Sequence, residues 1–123
     1  MPRSGSANST RLARLVAGVT VALCSAMAFV GCSAQDARAL ASQACRHVEQ
    51  GLSEEQQAGR AGAARGAELR TLALDQIRDA VPYAAEAAGD DTSWQALEAT
   101  LGESSRVPVR YLLPALSAQC AGV

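Results

Sequence analysis

The stretch Ala67-Glu68-Leu69-Arg70-Thr71-Leu72-Ala73-Leu74-Asp75-Gln76-Ile77-Arg78-Asp79-Ala80-Val81-Pro82-Tyr83-Ala84-Ala85-Glu86-Ala87-Ala88 decides the fold class. Leu69, Leu72, Ala73, Ile77, Ala80, Val81 and Ala84 recur at steps of three and four, so they share one face of a helix. Arg70, Asp75, Arg78, Asp79 and Glu86 fall mostly off that face. Pro82 lacks a backbone N–H and is expected to kink the helix near Asp79 to Val81, and Gly89 is expected to end it.

The same period appears on either side. Upstream, a helix is expected over Ala37 to Gln50, with Leu40, Ala41, Ala44, Cys45 and Val48 on one face, Asp36 as N-cap and Gly51 as the stop. Ser53-Glu54-Glu55-Gln56 has the form of a capping box, but Gly59, Gly62 and Gly66 follow closely. Each glycine weakens a helix by about 1 kcal/mol relative to alanine, so residues 53–66 read as a flexible Gly/Ala-rich connector. Gly62 and Gly66 match a G-x-x-x-G spacing, yet the flanking Arg60 and Arg65 argue against a membrane dimer face.

Downstream, Thr92 with Gln95 forms another capping box, opening a helix over Ser93 to Leu101 on which Trp94, Leu97 and Leu101 align. Pro108 suits a first helical turn, and Val109, Leu112, Leu113, Leu116 and Cys120 form a last apolar face, with Pro114 removing one backbone bond. No strand-like alternation longer than a few residues occurs. The expected fold is all-α: a small bundle of about four helices after an N-terminal signal segment.

Composition bounds the rest. The chain has 123 residues, a formal charge of −1 and four aromatic residues, and every basic residue is Arg. That length accommodates one domain. The charge balance and scarcity of aromatics give no footprint for nucleic acid. Alanine supplies 27 residues. It is the best helix former but buries little area, so the core is expected to be thin and in need of a brace.

The N-terminal segment reads as an address. Arg3, Arg11 and Arg14 precede any acid, the first of which is Asp36, and Leu15 to Val30 carry no charge. Small residues Gly31, Cys32, Ser33 and Ala34 follow. A basic start, a short apolar run and small residues have the plan of a secretory signal. The quartet Phe29-Val30-Gly31-Cys32 resembles the lipobox of bacterial lipoproteins, with Phe29 where that family usually has Leu. The resemblance implies a diacylglyceryl group on the Cys32 thiol, cleavage between Gly31 and Cys32, and retention at the membrane by acyl chains of the palmitate type. Residues 1–31 would then be the signal peptide and 32–123 the single mature domain. Cys24 competes less well, because Leu23 before it is too large. An uncleaved signal anchor is the alternative, since the uncharged run through Ala34 is long enough to span hydrocarbon, though weakly apolar.

Cysteine usage follows from that resemblance. With Cys24 removed and Cys32 acylated, Cys45 and Cys120 remain, in a compartment where a pair is oxidised. A bond between them would close a loop of about 76 residues and, by chain entropy, contribute roughly 4 kcal/mol. A redox pair or half of a metal site are the competing readings, but neither cysteine lies in a C-x-x-C arrangement.

Catalytic chemistry has few candidates. His47 is the only histidine, and with Arg46 and Glu49 it reads as a helix surface or satisfied boundary residue. Glu54/Glu55 and Asp90/Asp91 have ordinary explanations at helix starts. No phosphate-binding loop, nucleophile elbow or zinc-protease motif occurs, and neither metal nor cofactor is expected.

Cys45-Arg46-His47-Val48, Trp94-Gln95-Ala96-Leu97, Ser105-Arg106-Val107-Pro108 and Leu116-Ser117-Ala118-Gln119-Cys120 also loosely resemble small helical lipoproteins of high-GC bacteria, a likeness that transfers no site. The leading expectation is a non-enzymatic, lipid-anchored module on the extracytoplasmic side of the cell membrane, contacting another envelope protein. The alternative is a small binding protein with an apolar pocket lined by Leu72, Ile77, Trp94 and Leu112.

Overall fold

The structure, a computed structural model, describes the backbone of residues 9–123 and the side chains of residues 33–123. The chain divides into two units, Met1–Cys32 and Ser33–Val123. Among the described residues four helices follow one another: α1 (Ser9–Ala58), α2 (Ala63–Asp90), α3 (Gln95–Gly102) and α4 (Val109–Cys120). Short 3-10 turns, Thr92–Trp94 and Glu103–Ser105, flank α3. Among the described residues there is no strand, and within residues 33–123 no helical segment is long and apolar enough to cross a membrane. The signal, lipobox and Cys32 readings lie outside the described residues.

From Ser33 onward, α1 and α2 pack as an antiparallel pair. Gly66 sits against Ala58, Glu55 against Arg70, Gly51 against Ala73 and Ile77, and His47 against Gln76 and Tyr83. The buried face of α1 is built from small residues at steps of four and three from Ala37 through Ala41, Ala44 and Val48 to Gly51, with Ala58 seven residues further on. Gly66, Leu69, Ala73, Ile77, Ala80 and Ala84 form the buried face of α2. Alternation of three and four is the spacing that keeps two helices in register along a shared seam. Small side chains let the backbones approach closely. A Cβ added to Gly51 would lie 3.1 Å from the Ala73 carbonyl oxygen, and one added to Gly66 would lie 3.0 Å from that of Ala58.

The larger apolar side chains come from α3 and α4. Leu97, Leu101 and Leu116 are fully buried with Val48 and Ile77, and Val109 joins them. Each such side chain contributes about 1.5–3 kcal/mol relative to an exposed one. Few residues of that size are present, so a covalent brace matters. Cys45 on α1 is bonded to Cys120 at the end of α4, with Cα atoms 5.5 Å apart. The fold is thus the disulfide-braced helical bundle that the apolar periodicity predicts.

Several boundaries differ from the sequence reading. Gly51 does not stop α1. It faces α2 where a side chain has no room, and the helix continues to Ala58. Asp36 is not an N-cap, because α1 runs through it. Ser53 is likewise inside α1, where its Oγ accepts from Gln57 Nε2 at 3.3 Å rather than capping a new helix. The connector expected over 53–66 therefore contracts to a turn at Gly59 to Gly62. In that turn the Gly59 and Arg60 N–H groups donate to the Glu55 and Gln57 carbonyls at 3.1 and 3.0 Å. Helix α2 continues past Gly89 to Asp90 and through Pro82, which is exposed. Before α3, Asp91 provides the cap instead of Thr92: its Oδ1 accepts from the Ser93 N–H at 2.9 Å.

Candidate functional site

The sites expected from sequence fall in three places. The Cys45–Cys120 bond borders a shallow depression of about 280 Å³, lined also by Ser42, Arg46, Glu49 and Val123. His47 lies on the neighbouring part of α1, half-buried. Its Nδ1 is 2.9 Å from Gln76 Oε1, a geometry in which the imidazole N–H donates to the amide oxygen. Its ring stacks on Tyr83 with centroids 5.7 Å apart. These contacts fix the ring between α1 and α2, as a satisfied boundary histidine would be. Among the described residues no cluster of His, Cys, Asp and Glu has the arrangement of a metal site.

The apolar pocket expected from Leu72, Ile77, Trp94 and Leu112 does not form. Ile77 is fully buried in the core, whereas Leu72 is 46% exposed on the outer face of α2. Trp94 and Leu112 pack partly buried against the core cluster. The physical reason is rotational. The stripe on α2 is centred on Ala73, Ile77, Ala80 and Ala84, and the close approach of α1 leaves Leu72 outside the contact.

A cleft that the sequence gives no reason to expect opens where three segments meet. Its volume is about 340 Å³. The last turns of α1 contribute Glu55, the second turn of α2 contributes Arg70, and the connection from α3 to α4 contributes Ser104, Ser105 and Arg106. Arg110 in the first turn of α4 completes the polar lining, while Leu74 and Val109 supply apolar wall. Three arginines therefore line one cleft with a single lining carboxylate. That carboxylate is partly neutralised: Glu55 Oε1 lies 3.7 Å from Arg70 Nε, and the Glu55 side chain is only 11% exposed.

The other two arginines are held differently. Arg106 pairs with Glu103 one turn away. Arg110 has no acidic partner among the described residues. Its guanidinium lies over the Tyr111 ring at 4.6 Å and donates to the Tyr111 hydroxyl at 3.3 Å. Pro108 occupies the N-cap position of α4 and has no side chain able to cap, so the first-turn N–H groups at Val109 and Arg110 receive no side-chain cap. The Ser105 hydroxyl donates to the Gly102 carbonyl at 3.2 Å. That of Ser104 makes no hydrogen bond to the described residues. Positive charge, open donors and a helix N-terminus thus converge on a concave surface.

In the sequence Arg70 falls off the apolar face of its helix and Arg106 precedes the Val107-Pro108 step, and nothing in their spacing links either to Arg110. Comparison with protein-family models, with curated proteins and with solved structures finds no match for the chain.

Proposed function

We infer that the chain is a lipid-anchored, extracytoplasmic helical module that acts through its outer surface at the cell membrane, contacting another envelope component. The observation that carries the surface-acting part is the filled interior. Val48, Ile77, Leu97, Leu101 and Leu116 are fully buried where an apolar ligand would otherwise lie. A closed core of that kind favours an interaction module over a carrier of apolar ligands. Large apolar side chains reach the surface at Leu72 and Tyr111, the latter 65% exposed.

The anchoring part rests on the lipobox-like Phe29-Val30-Gly31-Cys32 and gains support from the pairing of Cys45 with Cys120. A structural disulfide persists in exported proteins and is rare in the reducing cytosol. It also leaves Cys32 as the cysteine free to take acyl chains after a signal is removed. Two such chains, each buried CH₂ contributing about 0.8 kcal/mol, hold a protein stably to a bilayer.

Intact mass of the membrane-extracted protein tests both parts. A species starting at Cys32, carrying a diacylglyceryl group and two hydrogens lighter than the dithiol form, is the expected result. A Cys32→Ser variant is expected to leave the membrane fraction or to accumulate with its first 31 residues retained. An unacylated chain of full length would replace lipid anchoring with a signal anchor. Cleavage elsewhere, with release from the membrane, would refute the anchor while leaving the disulfide-braced module intact.

A further inference from the structure

We propose that the cleft between α1, α2 and the start of α4 binds a phosphate group, with Arg70, Arg106, Arg110 and the first-turn amides of α4 as its donors. The proposal stands on the cleft's own geometry and is independent of how the chain is attached to a membrane.

Charge is the first argument. Beyond residue 31 the chain carries 8 Arg against 12 Asp and Glu, so an average surface patch on this domain is acidic. This cleft is the reverse: Arg70, Arg106 and Arg110 line it, against Glu55 in the lining and Glu103, which pairs with Arg106 from beside it. A concave, locally basic site on an acidic domain concentrates field lines and selects anions.

Donor geometry is the second. Arg70 comes from α2, and Arg106 and Arg110 from the segment that opens α4, so the cleft is lined by arginine on two sides. Guanidinium forks match phosphate oxygens in pairs, and the N-terminus of a helix presents N–H groups along its positive dipole end. Helix α4 has twelve residues, long enough for that dipole, and a proline occupies the position where Ser, Thr, Asp or Asn would satisfy those amides. The free Ser104 hydroxyl adds a neutral donor. Arg110 is held by Tyr111 rather than by a carboxylate, so it meets an anion without first breaking an ion pair.

Size is the third. About 340 Å³ accommodates a phosphate and a small substituent such as a glycerol unit, and it opens to solvent beside apolar Leu74 and Val109. A soluble phosphomonoester and the phosphodiester of a lipid headgroup share the chemistry the site recognises.

The test uses the full chain, ¹⁵N-labelled, in bicelles of neutral phosphatidylcholine. Inorganic phosphate is titrated against it, and in a separate arm the bicelles contain phosphatidylglycerol with no added phosphate. Backbone amide shifts of Ser104 to Arg110 are the readout. Saturable shifts with phosphate alone identify a soluble ligand, and shifts with phosphatidylglycerol identify a headgroup. Either result supports the site. An Arg106→Gln/Arg110→Gln variant is expected to weaken the response at least tenfold, while Arg78→Gln, on α2 outside the cleft, leaves it unchanged. Absence of saturable shifts in both arms overturns the proposal, as does an undiminished response in the double variant. Both arginines are exposed, so the variant's amide spectrum is expected to keep the parent's dispersion outside the cleft.

Discussion

Gly51→Ala is the sharpest probe of the α1–α2 seam. In an open helix interior the change from glycine to alanine stabilises by about 0.5–1 kcal/mol, because the unfolded chain loses freedom. At Gly51 the new Cβ meets the Ala73 carbonyl oxygen at 3.1 Å and the Ile77 Cδ1 at 3.2 Å, whereas ordinary contact begins at 3.4 Å. The two helices must therefore separate locally by about 0.3 Å to clear the Ala73 carbonyl, and Ile77 must shift as well, against a close-packed interior. Ile77 is fully buried, so it has no solvent-side position to adopt. Overpacking of this kind costs about 1–3 kcal/mol, which outweighs the propensity gain and leaves a net loss of about 1 kcal/mol. Gly89→Ala is the internal reference. It lies in α2 with nothing within 4 Å of the added Cβ, so it keeps the gain without the clash. Thermal unfolding followed by far-UV circular dichroism, disulfide intact, measures both. For a domain of this size about 1 kcal/mol moves Tm by roughly 4–8 °C. Gly51→Ala is expected to melt below the parent and Gly89→Ala slightly above it. Equal upward shifts in the two variants would refute close backbone approach at the seam.

Other perturbations separate the remaining contributions. Replacing Cys45 and Cys120 together by alanine is expected to cost roughly 4 kcal/mol, from the closed loop spanning a sequence separation of 75 residues, and a denaturant midpoint unchanged by reduction of the parent would contradict this. Ile77→Ala, at a fully buried site, is expected to lose about 2–5 kcal/mol, whereas Leu72→Ala, on the same helix but half-exposed, should stay within about 0.5 kcal/mol; similar losses in urea melts would place the stripe wrongly. The Asp91 carboxyl is held below its ordinary value of 3.8, first by the backbone N–H of Ser93 and then by the Ser93 side chain. Its folded-state pKa being the lower one, the cap's contribution is complete above the ordinary carboxylate range and disappears as pH falls below it. Asp91→Asn keeps an acceptor oxygen but removes this acid sensitivity, so a parent and variant with parallel stability profiles between neutral pH and about pH 2 would refute the role of the ionised cap.

The apolar periodicity of Leu69, Ala73, Ile77, Ala80 and Ala84 was legible because a helix that buries one face must repeat at three and four. The pairing of Cys45 with Cys120 was legible because only these two cysteines lie beyond residue 32. Gly51 misled for a physical reason. Glycine lowers helix propensity whatever its surroundings, while the benefit of having no side chain arises only when Ala73 arrives from another part of the chain. Leu72 misled in the opposite direction, since a stripe seven residues wide on paper is broader than the contact that a close helix neighbour covers. The basic cleft was illegible because Arg70 and Arg110 lie forty residues apart and meet through the turn before α4, a relation with no periodic signature.

The covalent link between the first and last helices has a consequence for turnover. The turn at Gly59 to Gly62 is the most cleavable point between α1 and α2, with Arg60 exposed beside small residues. A protease that nicks the backbone there separates the polypeptide into two pieces, yet both stay on one molecule through the sulfur bridge. Whatever holds the N-terminal piece in place goes on holding the C-terminal one. A cut at this turn therefore parts the two pieces covalently only when the disulfide is reduced as well, and either chemistry acting alone leaves them joined.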